Sequence, residues 1–352
     1  MKAVFHYGME PKQFELRDVP EPVCGPEDVI VEVKAAAICG SDVATYYNGA
    51  TKGIPCISGH EFAGVIAQTG SEVTEWKVGD RVVSDNTGYA CGKCYSCRTG
   101  FFANCKDRKI IGLHMDGAFA KYVRIPGNIL SVHKWALMKL PDSVSYEYGA
   151  VLDPICNAYM AAAQEANLLP GESVLVFGPG PIGLLAAQIC HIMGMKNVIM
   201  VGLKEDKENR GEIARQMGAT HFVASDTEDL DTLVHEICGE EGADAAIDCA
   251  GFPTILQQAM RNVRRCGRIV MLGAGAKPLG FSLNDLTYAS QTIQGHHAYD
   301  STSWKNSIGL LEKNMLTLDP IITHILPLSE WERGIQLMRS REGTKILLIP
   351  EE

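Results

Sequence analysis

The alternation of apolar and polar residues divides the chain into two regions. In residues 1 to about 150, short runs with alternating apolar side chains stand between Gly, Pro and Asp residues, a pattern typical of strands joined by turns. The clearest runs are residues 29–33, 61–67, 78–83 and 118–123. No long helix-periodic segment appears before Ser145. The pattern predicts a β-rich barrel or folded sheet for this half.

From about residue 170 to 275 the pattern changes to strands that alternate with helices. Predicted strands cover 173–177, 197–201, 221–224, 245–249 and 268–272, and predicted helices cover 182–193, 207–217, 230–238 and 254–263. Such alternation indicates right-handed crossovers and a parallel sheet covered on both faces. The last 60 or so residues are mixed and end in a strand at 345–349. The whole is predicted to be a two-domain α/β protein.

Composition narrows the class of protein. The 352 residues suit two domains, and 46% hydrophobic with 21% charged residues is ordinary for a globular chain. A net charge of −10 argues against a nucleic-acid or anionic-membrane surface. We find no export signal at the N-terminus and no apolar run long enough for a membrane span. Twelve cysteines in such a chain are expected to be thiols and metal ligands in a reducing, cytoplasmic compartment.

Four cysteines form the strongest local motif. Cys91, Cys94, Cys97 and Cys105 follow the pattern C-x2-C-x2-C-x7-C. Four thiolates at this spacing predict a closed tetrahedral zinc site, which is structural because no position remains for a substrate. An iron–sulfur cluster or four unrelated buried thiols are the alternatives. Zinc is favoured because nothing else in the chain suggests electron transfer.

A second metal site is indicated by Cys39 and the Gly59-His60-Glu61 stretch. A thiolate and an imidazole are ligands that hold zinc, and a catalytic zinc needs a third protein ligand and one open position. Glu61 lies beside His60, and Asp153 is the other acid that we consider. The alternative is a small buried cysteine and a hydrogen-bonded loop histidine.

A glycine-rich turn lies between the strand 173–177 and the helix 182–193. Gly178, Gly180 and Gly183 form G-x-G-x-x-G, and Pro181 and Ile182 complete the turn. In this context the motif predicts a dinucleotide site, with the pyrophosphate at the helix N-terminus. The alternative is a Gly/Pro turn that binds no ligand.

The end of the second predicted strand bears on the choice of cofactor. An acid there selects NAD, but this chain has Gly202, followed by Lys204, Lys207 and Arg210. The missing acid and the nearby cations favour NADP. Glu205 or Asp206, in the same stretch, is the alternative that would favour NAD.

In these features the chain resembles the zinc-dependent medium-chain dehydrogenase/reductase, or alcohol dehydrogenase, superfamily over essentially its full length. Within it, the chain is most similar to polyol (sorbitol-type) and L-threonine 3-dehydrogenases. The matching stretches are Cys39-Gly40-Ser41-Asp42, Gly59-His60-Glu61-Phe62-Ala63-Gly64, Val78-Gly79-Asp80-Arg81-Val82, the four-cysteine segment, Leu152-Asp153-Pro154 and the stretch at 318–324.

The resemblance implies a GroES-like β-rich catalytic domain, residues 1–153 and 290–352, around a Rossmann domain with a doubly wound parallel sheet, residues 154–289. By motif position, Cys39, His60 and Asp153 are implied ligands of a catalytic zinc, with Glu61 as an alternating or outer ligand. Two zinc ions per chain and a homotetramer or homodimer are expected.

Two further roles follow from the resemblance. Asp42 is the implied acid that orients His60, and Ser41 is the hydroxyl that passes on the substrate proton. Relatives often continue this proton relay with a histidine two residues after the acid, where this chain has Ala44. The role of that histidine in the relay would then fall to Thr45, to one of the neighbouring tyrosines or to water. This departure from the relatives' pattern weakens the assignment of threonine as the substrate.

The implied activity is hydride transfer between a nicotinamide cofactor and a secondary alcohol, polyol or sugar-derived hydroxyl. A threonine dehydrogenase-like activity, a zinc-free quinone or enone reductase, and a non-catalytic nucleotide-binding protein are the alternatives. Candidate substrate-pocket residues are Tyr46, Tyr47, His114, Asn157 and His296, each equally compatible with packing.

Overall fold

A computed structural model describes residues 1–50, 55–275 and 277–351 of the chain, which fold into two compact units. The first unit contains Met1–Asp153, Asp300–Lys313 and the residues from Ile322 onward, and the second contains Pro154–Tyr299 and Asn314–Ile321. The predicted division assigned residues 290–299 and 314–321 to the catalytic domain, whereas these residues lie in the second compact unit. Residues 292–295 form a strand that extends the parallel sheet of the second unit.

The strands are numbered in chain order. They are β1 (Lys2–His6), β2 (Phe14–Asp18), β3 (Val29–Ala37), β4 (Cys56–Ile57), β5 (Glu61–Thr69), β6 (Arg81–Ser84), β7 (Thr87–Tyr89), β8 (Lys109–Ile110), β9 (Tyr122–Ile125), β10 (Leu137–Lys139), β11 (Ser173–Phe177), β12 (Asn197–Gly202), β13 (His221–Ala224), β14 (Ala243–Asp248), β15 (Val263–Met271), β16 (Thr292–Gly295), β17 (Ile322–Pro327) and β18 (Lys345–Ile349).

The α-helices are numbered in the same way. They are α1 (Gly40–Asn48), α2 (Tyr95–Arg98), α3 (Gly127–Val132), α4 (Tyr146–Gly149), α5 (Leu152–Tyr159), α6 (Pro181–Ile192), α7 (Lys204–Gln216), α8 (Leu230–Cys238), α9 (Pro253–Asn262), α10 (Leu283–Ala289), α11 (Ser301–Glu312) and α12 (Trp331–Arg339). A π-helical segment, Met160–Glu165, continues α5, and short 3-10 turns cover Phe102–Asn104 and Leu328–Glu330. No helix among the described residues is both long and apolar enough to cross a membrane.

The first unit is built around a seven-stranded sheet in the order β10-β6-β5-β3-β18-β17, with β9 also paired to β3. Strand β3 is nine residues long and buries all but two of them, because it pairs with β5, β9 and β18. The C-terminal strand β18 therefore lies directly beside β3. This pairing brings the end of the chain to the beginning of α1, where the candidate metal ligands lie.

The second unit contains a six-stranded parallel sheet in the order β13-β12-β11-β14-β15-β16. Its central strand β11 is buried along its whole length, as expected when helices cover both faces of a parallel sheet. The chain leaves β11 first to one side and then to the other. The switch point between β11 and β14 is where ligands bind in sheets of this order. The predicted fold class, a GroES-like β-rich domain with a Rossmann-type domain, is confirmed.

The sequence prediction missed the helices in the first 145 residues. Helix α1 has nine residues but buries only Val43 and Tyr46, so its apolar stripe is too short to stand out as a periodic pattern. In the segment 78–83 the strand follows the predicted Gly-Asp turn, since β6 begins at Arg81. The predicted strand at 118–123 starts too early, because β9 begins only at Tyr122.

Candidate active site and cofactor site

Cys39 lies where strand β3 has ended and helix α1 begins. It is the N-cap residue, in an extended conformation, and its backbone N–H donates to Asp42 Oδ2 at 2.9 Å. The backbone N–H groups of Asp42 and Val43 donate in turn to the Cys39 carbonyl. These bonds fix the first turn of the helix. The thiol of Cys39 is consequently held at a defined position at the helix N-terminus.

His60 immediately precedes β5 and faces the same helix turn. Its Nδ1 lies 3.6 Å from Asp42 Oδ1, and its Nε2 lies 3.5 Å from the hydroxyl of Ser41. Burial disfavours the charged imidazolium, yet Asp42 and the sulfur of Cys39 hold the pKa of His60 well above its ordinary value. Asp42 thus contacts both the Cys39 backbone and the His60 ring, while Ser41 is exposed beside them.

Cys39, His60 and Glu61 converge on one point. The ligand atoms that they offer all lie within 4.8 Å of one another. Glu61 is the first residue of β5 and is almost completely buried. Burial raises the pKa of its carboxyl group, and the ammonium of Lys345 opposes that rise.

Lys345 is a site residue that sequence reasoning missed. It is the first residue of β18, is buried, and forms an ion pair with Glu61 while it donates to the carbonyl oxygen of Ile38 at 3.0 Å. The sequence did contain a sign of its burial, because Lys345 directly precedes the apolar run Ile-Leu-Leu-Ile of a predicted strand. Buried lysines require a partner, but the sequence did not indicate which one.

Asp153 does not belong to the convergent set. Its Oδ2 accepts a hydrogen bond of 2.9 Å from the side-chain amide of Asn86. Its charge nonetheless acts on both Glu61 and Lys345, so the carboxylate lies in their neighbourhood. The structure thus brings three of the four predicted ligands together and places the fourth nearby.

The four-cysteine segment forms a second convergent set. The sulfur atoms of Cys91, Cys94, Cys97 and Cys105 lie within 4.8 Å of one another. The backbone N–H of Cys91 donates to the sulfur of Cys105, and that of Cys94 donates to the sulfur of Cys91. The backbone N–H of Cys97 lowers the pKa of Cys94 to about 6, which favours the thiolate that a metal requires.

The donor sets fit zinc. A tetrahedral zinc with four bonds of about 2.3 Å to sulfur places its ligand atoms about 3.8 Å apart. Two sulfur–sulfur separations, Cys94 to Cys97 at 3.6 Å and Cys91 to Cys97 at 4.0 Å, bracket that value. The other set combines sulfur, nitrogen and oxygen donors, as catalytic zinc sites do.

The glycine-rich turn has the geometry of a phosphate-binding loop. Gly178 has a φ of +90°, a conformation that favours glycine, and a side chain at Gly183 would meet the Gly178 carbonyl oxygen at 1.9 Å. A side chain at Gly180, the N-cap of α6, would instead point its Cβ into open space, with no other atom within 4 Å. Pro181 occupies the first turn of α6, and Ile182 follows it. The helix N-terminus is therefore open to an anion.

Three cationic side chains follow β12, and two of them form close hydrogen bonds with other residues of the second unit. Lys207 pairs with both carboxylate oxygens of Glu228 at 2.8 Å, and Arg210 is buried and donates to the Pro179 carbonyl at 3.0 Å. Lys204 is exposed, with Glu208 3.8 Å away. A side chain at Gly202 would approach Phe222, Pro179 and Asp206 at 3.0–3.2 Å. These neighbours leave little room for a larger side chain at position 202.

The candidate pocket residues have different environments. Tyr46 is buried against Phe14 and Trp331, and its hydroxyl donates to Glu332, so it belongs to the core. Tyr47 packs edge-on against Tyr46.

The remaining candidates are histidines and an asparagine. His114 accepts a bond from the Ile110 N–H. His296 bridges Glu165, at 2.7 Å, and Asn157, at 3.0 Å, within the second unit.

The sequence matches two known domain families. Residues 25–136 match the alcohol dehydrogenase GroES-like domain, and residues 181–313 match the zinc-binding dehydrogenase domain.

Three curated relatives are similar over nearly their full length. The uncharacterized zinc-type alcohol dehydrogenase-like protein YdjL from Escherichia coli K12 is 45% identical, with 99% of this chain and 98% of YdjL covered. An L-threonine 3-dehydrogenase from Bacillus velezensis is 34% identical, with 95% of each chain covered. A sorbitol dehydrogenase from Halalkalibacterium halodurans is 32% identical, with 99% of each covered.

Two solved structures with bound cofactors share the fold over 99% of each chain. A protein described as a zinc-binding dehydrogenase from Sinorhizobium meliloti 1021 is bound to NADP, with a TM-score of 0.88 and 26% identity. A protein described as a short chain alcohol dehydrogenase from E. coli CFT073 is complexed with NADH, with a TM-score of 0.89 and 28% identity. With both domains matched and relatives above 30% identity along its length, this chain belongs to the zinc-type alcohol dehydrogenase family.

Proposed function

We propose that this protein is a zinc-dependent dehydrogenase that transfers hydride between a nicotinamide cofactor and a secondary alcohol, polyol or sugar-derived substrate. The observation that carries the proposal is the convergence of Cys39, His60 and Glu61 next to the exposed hydroxyl of Ser41. This donor set argues against a zinc-free reductase and against a protein that only binds nucleotide.

We assign Cys39, His60 and Asp153 to the catalytic metal, with Glu61 as an alternating ligand. When bound there, zinc would supply a Lewis acid that polarises the substrate oxygen, while the nicotinamide exchanges the hydride. Asp42 orients the His60 ring, and Lys345 holds the negative charge of Glu61 in a buried position. The four cysteines would hold a second, structural zinc.

We propose that Ser41 receives the substrate proton. Its hydroxyl is exposed and lies 3.5 Å from His60 Nε2. Tyr46 cannot continue the relay, since its hydroxyl donates to Glu332 within the core, and Ala44 has no group to do so. We propose that the proton passes from Ser41 to solvent, with Thr45 and Tyr47 as the remaining alternatives. Because Ala44 stands where relatives often have the relay histidine, we favour an alcohol or polyol over threonine as the substrate.

We further propose that NADP is the preferred cofactor, bound at Gly178, Gly180, Pro181, Ile182 and Gly183. The preference rests on Gly202 and Lys204, because Lys207 is held by both oxygens of Glu228 and Arg210 is buried, whereas the ion pair of Lys204 with Glu208 is long and exposed. One exposed cation contributes no more than about 1 kcal/mol, which corresponds to about a fivefold preference. This preference for NADP is smaller than the one expected if all three cations could contact the phosphate.

The surface of the second unit supports a homo-oligomer, a homodimer or homotetramer. Strand β16 is at the edge of the parallel sheet, and three of its four residues are exposed. The neighbouring helix α10 exposes Leu283 and Tyr288, at 72% and 71%. Exposed edges and apolar side chains of this kind are normally covered.

We also propose a reducing, cytoplasmic compartment, because none of the twelve cysteines forms a disulfide.

A substrate panel tests the proposed function. Polyols, sugar acids, inositols and threonine are offered with NAD and with NADP, and reduced nicotinamide is followed by its absorbance. We expect turnover with at least one polyol or sugar-derived substrate and little with threonine. Turnover of threonine above all others would favour the threonine dehydrogenase alternative.

A further inference from the structure

The four-cysteine lobe, residues 91–105, is joined to Asp153, a proposed ligand of the catalytic metal, by a chain of hydrogen bonds that runs through Arg108. The guanidinium group donates from Nε to Thr87 Oγ1 at 3.1 Å, from Nη1 to the Ala103 carbonyl at 3.2 Å, and from Nη2 to Asn86 Oδ1. Ala103 lies inside the lobe, and Arg108 follows Cys105 by three residues. One planar group therefore spans the lobe and the 86–87 segment.

Asn86 extends the chain to Asp153. Its side-chain Oδ1 accepts from Arg108, and its Nδ2 donates to Asp153 Oδ2 at 2.9 Å. Because Arg108 can only donate, it fixes the orientation of the amide and directs the Nδ2 group to the carboxylate. The backbone carbonyl of Asn86 also accepts from the Ile111 N–H. Both ends of the amide and its backbone are thus held.

A second connection runs from the lobe to the residue before Asn86. The ring of His133 stacks on Phe102, with centroids 4.1 Å apart, and its Nε2 lies 3.2 Å from Asp85 Oδ2. Asp85 and His133 are both buried, and Asp85 Oδ1 accepts from the Thr87 N–H at 2.6 Å. Residues 85–87 are therefore held from the lobe at two points.

We propose that Arg108 and Asn86 are positioning residues that hold the Asp153 carboxylate as the Cys39–His60 metal site requires. The cysteine lobe would then support metal binding at that site as well as local stability. This inference rests on the proposed function, in which Asp153 is a ligand. Partners that orient a ligand commonly change metal affinity about 10–100-fold when they are removed.

The test compares Arg108→Lys with Arg98→Lys. Lysine keeps the charge but cannot reach three separate acceptors in one plane, and Arg98 is an exposed cation at the end of α2 in the same lobe. The affinity of each purified protein for Zn²⁺ at the weaker site is measured by chelator competition. We expect Arg108→Lys to weaken that site about tenfold or more, with one tightly held equivalent retained, and Arg98→Lys to match the wild type.

Asn86→Leu provides a second variant that leaves the lobe side chains intact. It should weaken the same site about as much as Arg108→Lys, and the double variant should be little weaker than either single one, because both act through one chain of bonds. Wild-type affinity at the weaker site in Asn86→Leu and in folded Arg108→Lys would overturn the inference.

The two proposals fail in different ways. A wild type that binds only one zinc per chain, at the four cysteines, would overturn the proposed function and with it this inference. A wild type that binds two, with both affinities unchanged in Arg108→Lys and Asn86→Leu, would overturn only the positioning role of Arg108 and Asn86.

Discussion

Lys345 and Glu61 form an ion pair in which only 2% and 1% of the two side-chain surfaces remain accessible. The pair joins the C-terminal strand β18 to the beginning of β5, one residue after His60. Because both charges are buried, each depends on the other for its stability. The end of the chain therefore contributes directly to the candidate metal site.

Lys345→Met should destabilise the protein by about 3–5 kcal/mol, because it leaves the Glu61 carboxylate buried without its partner. Urea unfolding, followed by circular dichroism, measures the change. Lys139→Met is the control: the Lys139 ammonium is 3.8 Å from Asp80 on a side chain that is 67% exposed, and its loss should cost less than about 1 kcal/mol. Equal, small losses in both variants would show that the buried pair contributes little.

Cys94→Ser should release the structural metal and lower the Tm by about 10 °C or more, because metal binding at such a site is folding free energy. Metal analysis and thermal unfolding measure the two effects, and size-exclusion chromatography reports on the oligomer. Cys266→Ser replaces an exposed thiol and should change neither the metal content nor the Tm. A Cys94→Ser protein with a wild-type Tm would contradict the structural role of the lobe.

Lys204→Gln should reduce the preference for NADP over NAD by about fivefold, the value of one exposed charge contact with a phosphate. The ratio of kcat/KM for the two cofactors measures it. Arg215→Gln is the control, since Arg215 is in the last turn of the same helix and pairs with Glu212. This test is sharper than Gly202→Asp, because a side chain at Gly202 would crowd Phe222 and Pro179.

A wild type that strongly prefers NAD would contradict the role of Lys204. It would also direct attention to Glu205 and Asp206, the two acids in the same stretch, as residues that bind the ribose.

Local patterns predicted much of the fold. The strands at 173–177, 221–224 and 345–349 and the helix at 230–238 were located at their observed bounds, because a buried strand or an amphipathic helix is visible in neighbouring residues. The four-cysteine site was recognisable for the same reason, since its ligands lie within fifteen residues. Helix α1 was missed because two buried residues do not make a periodic pattern.

Contacts between distant parts of the chain were not predictable from such patterns. Lys345 reaches Glu61 only because β18 pairs with β3, and Asn86 bonds to Asp153 although 67 positions separate them in the sequence. The engagement of Lys207 by Glu228 likewise depends on β12 and β13 lying side by side. A sequence shows which charges are present, but the tertiary fold decides which of them are already paired.

The most direct test of the account is the metal content and turnover of Cys39→Ser, measured on the same preparation. The wild type should contain about two zinc ions per chain, one for each convergent set of ligands. Cys39→Ser should retain one zinc and a Tm within a few degrees of the wild type, and should lose dehydrogenase activity at least about 100-fold, as expected when a catalytic metal ligand is removed. A Cys39→Ser protein with two zinc ions and wild-type kcat/KM would contradict the assignment of the catalytic site.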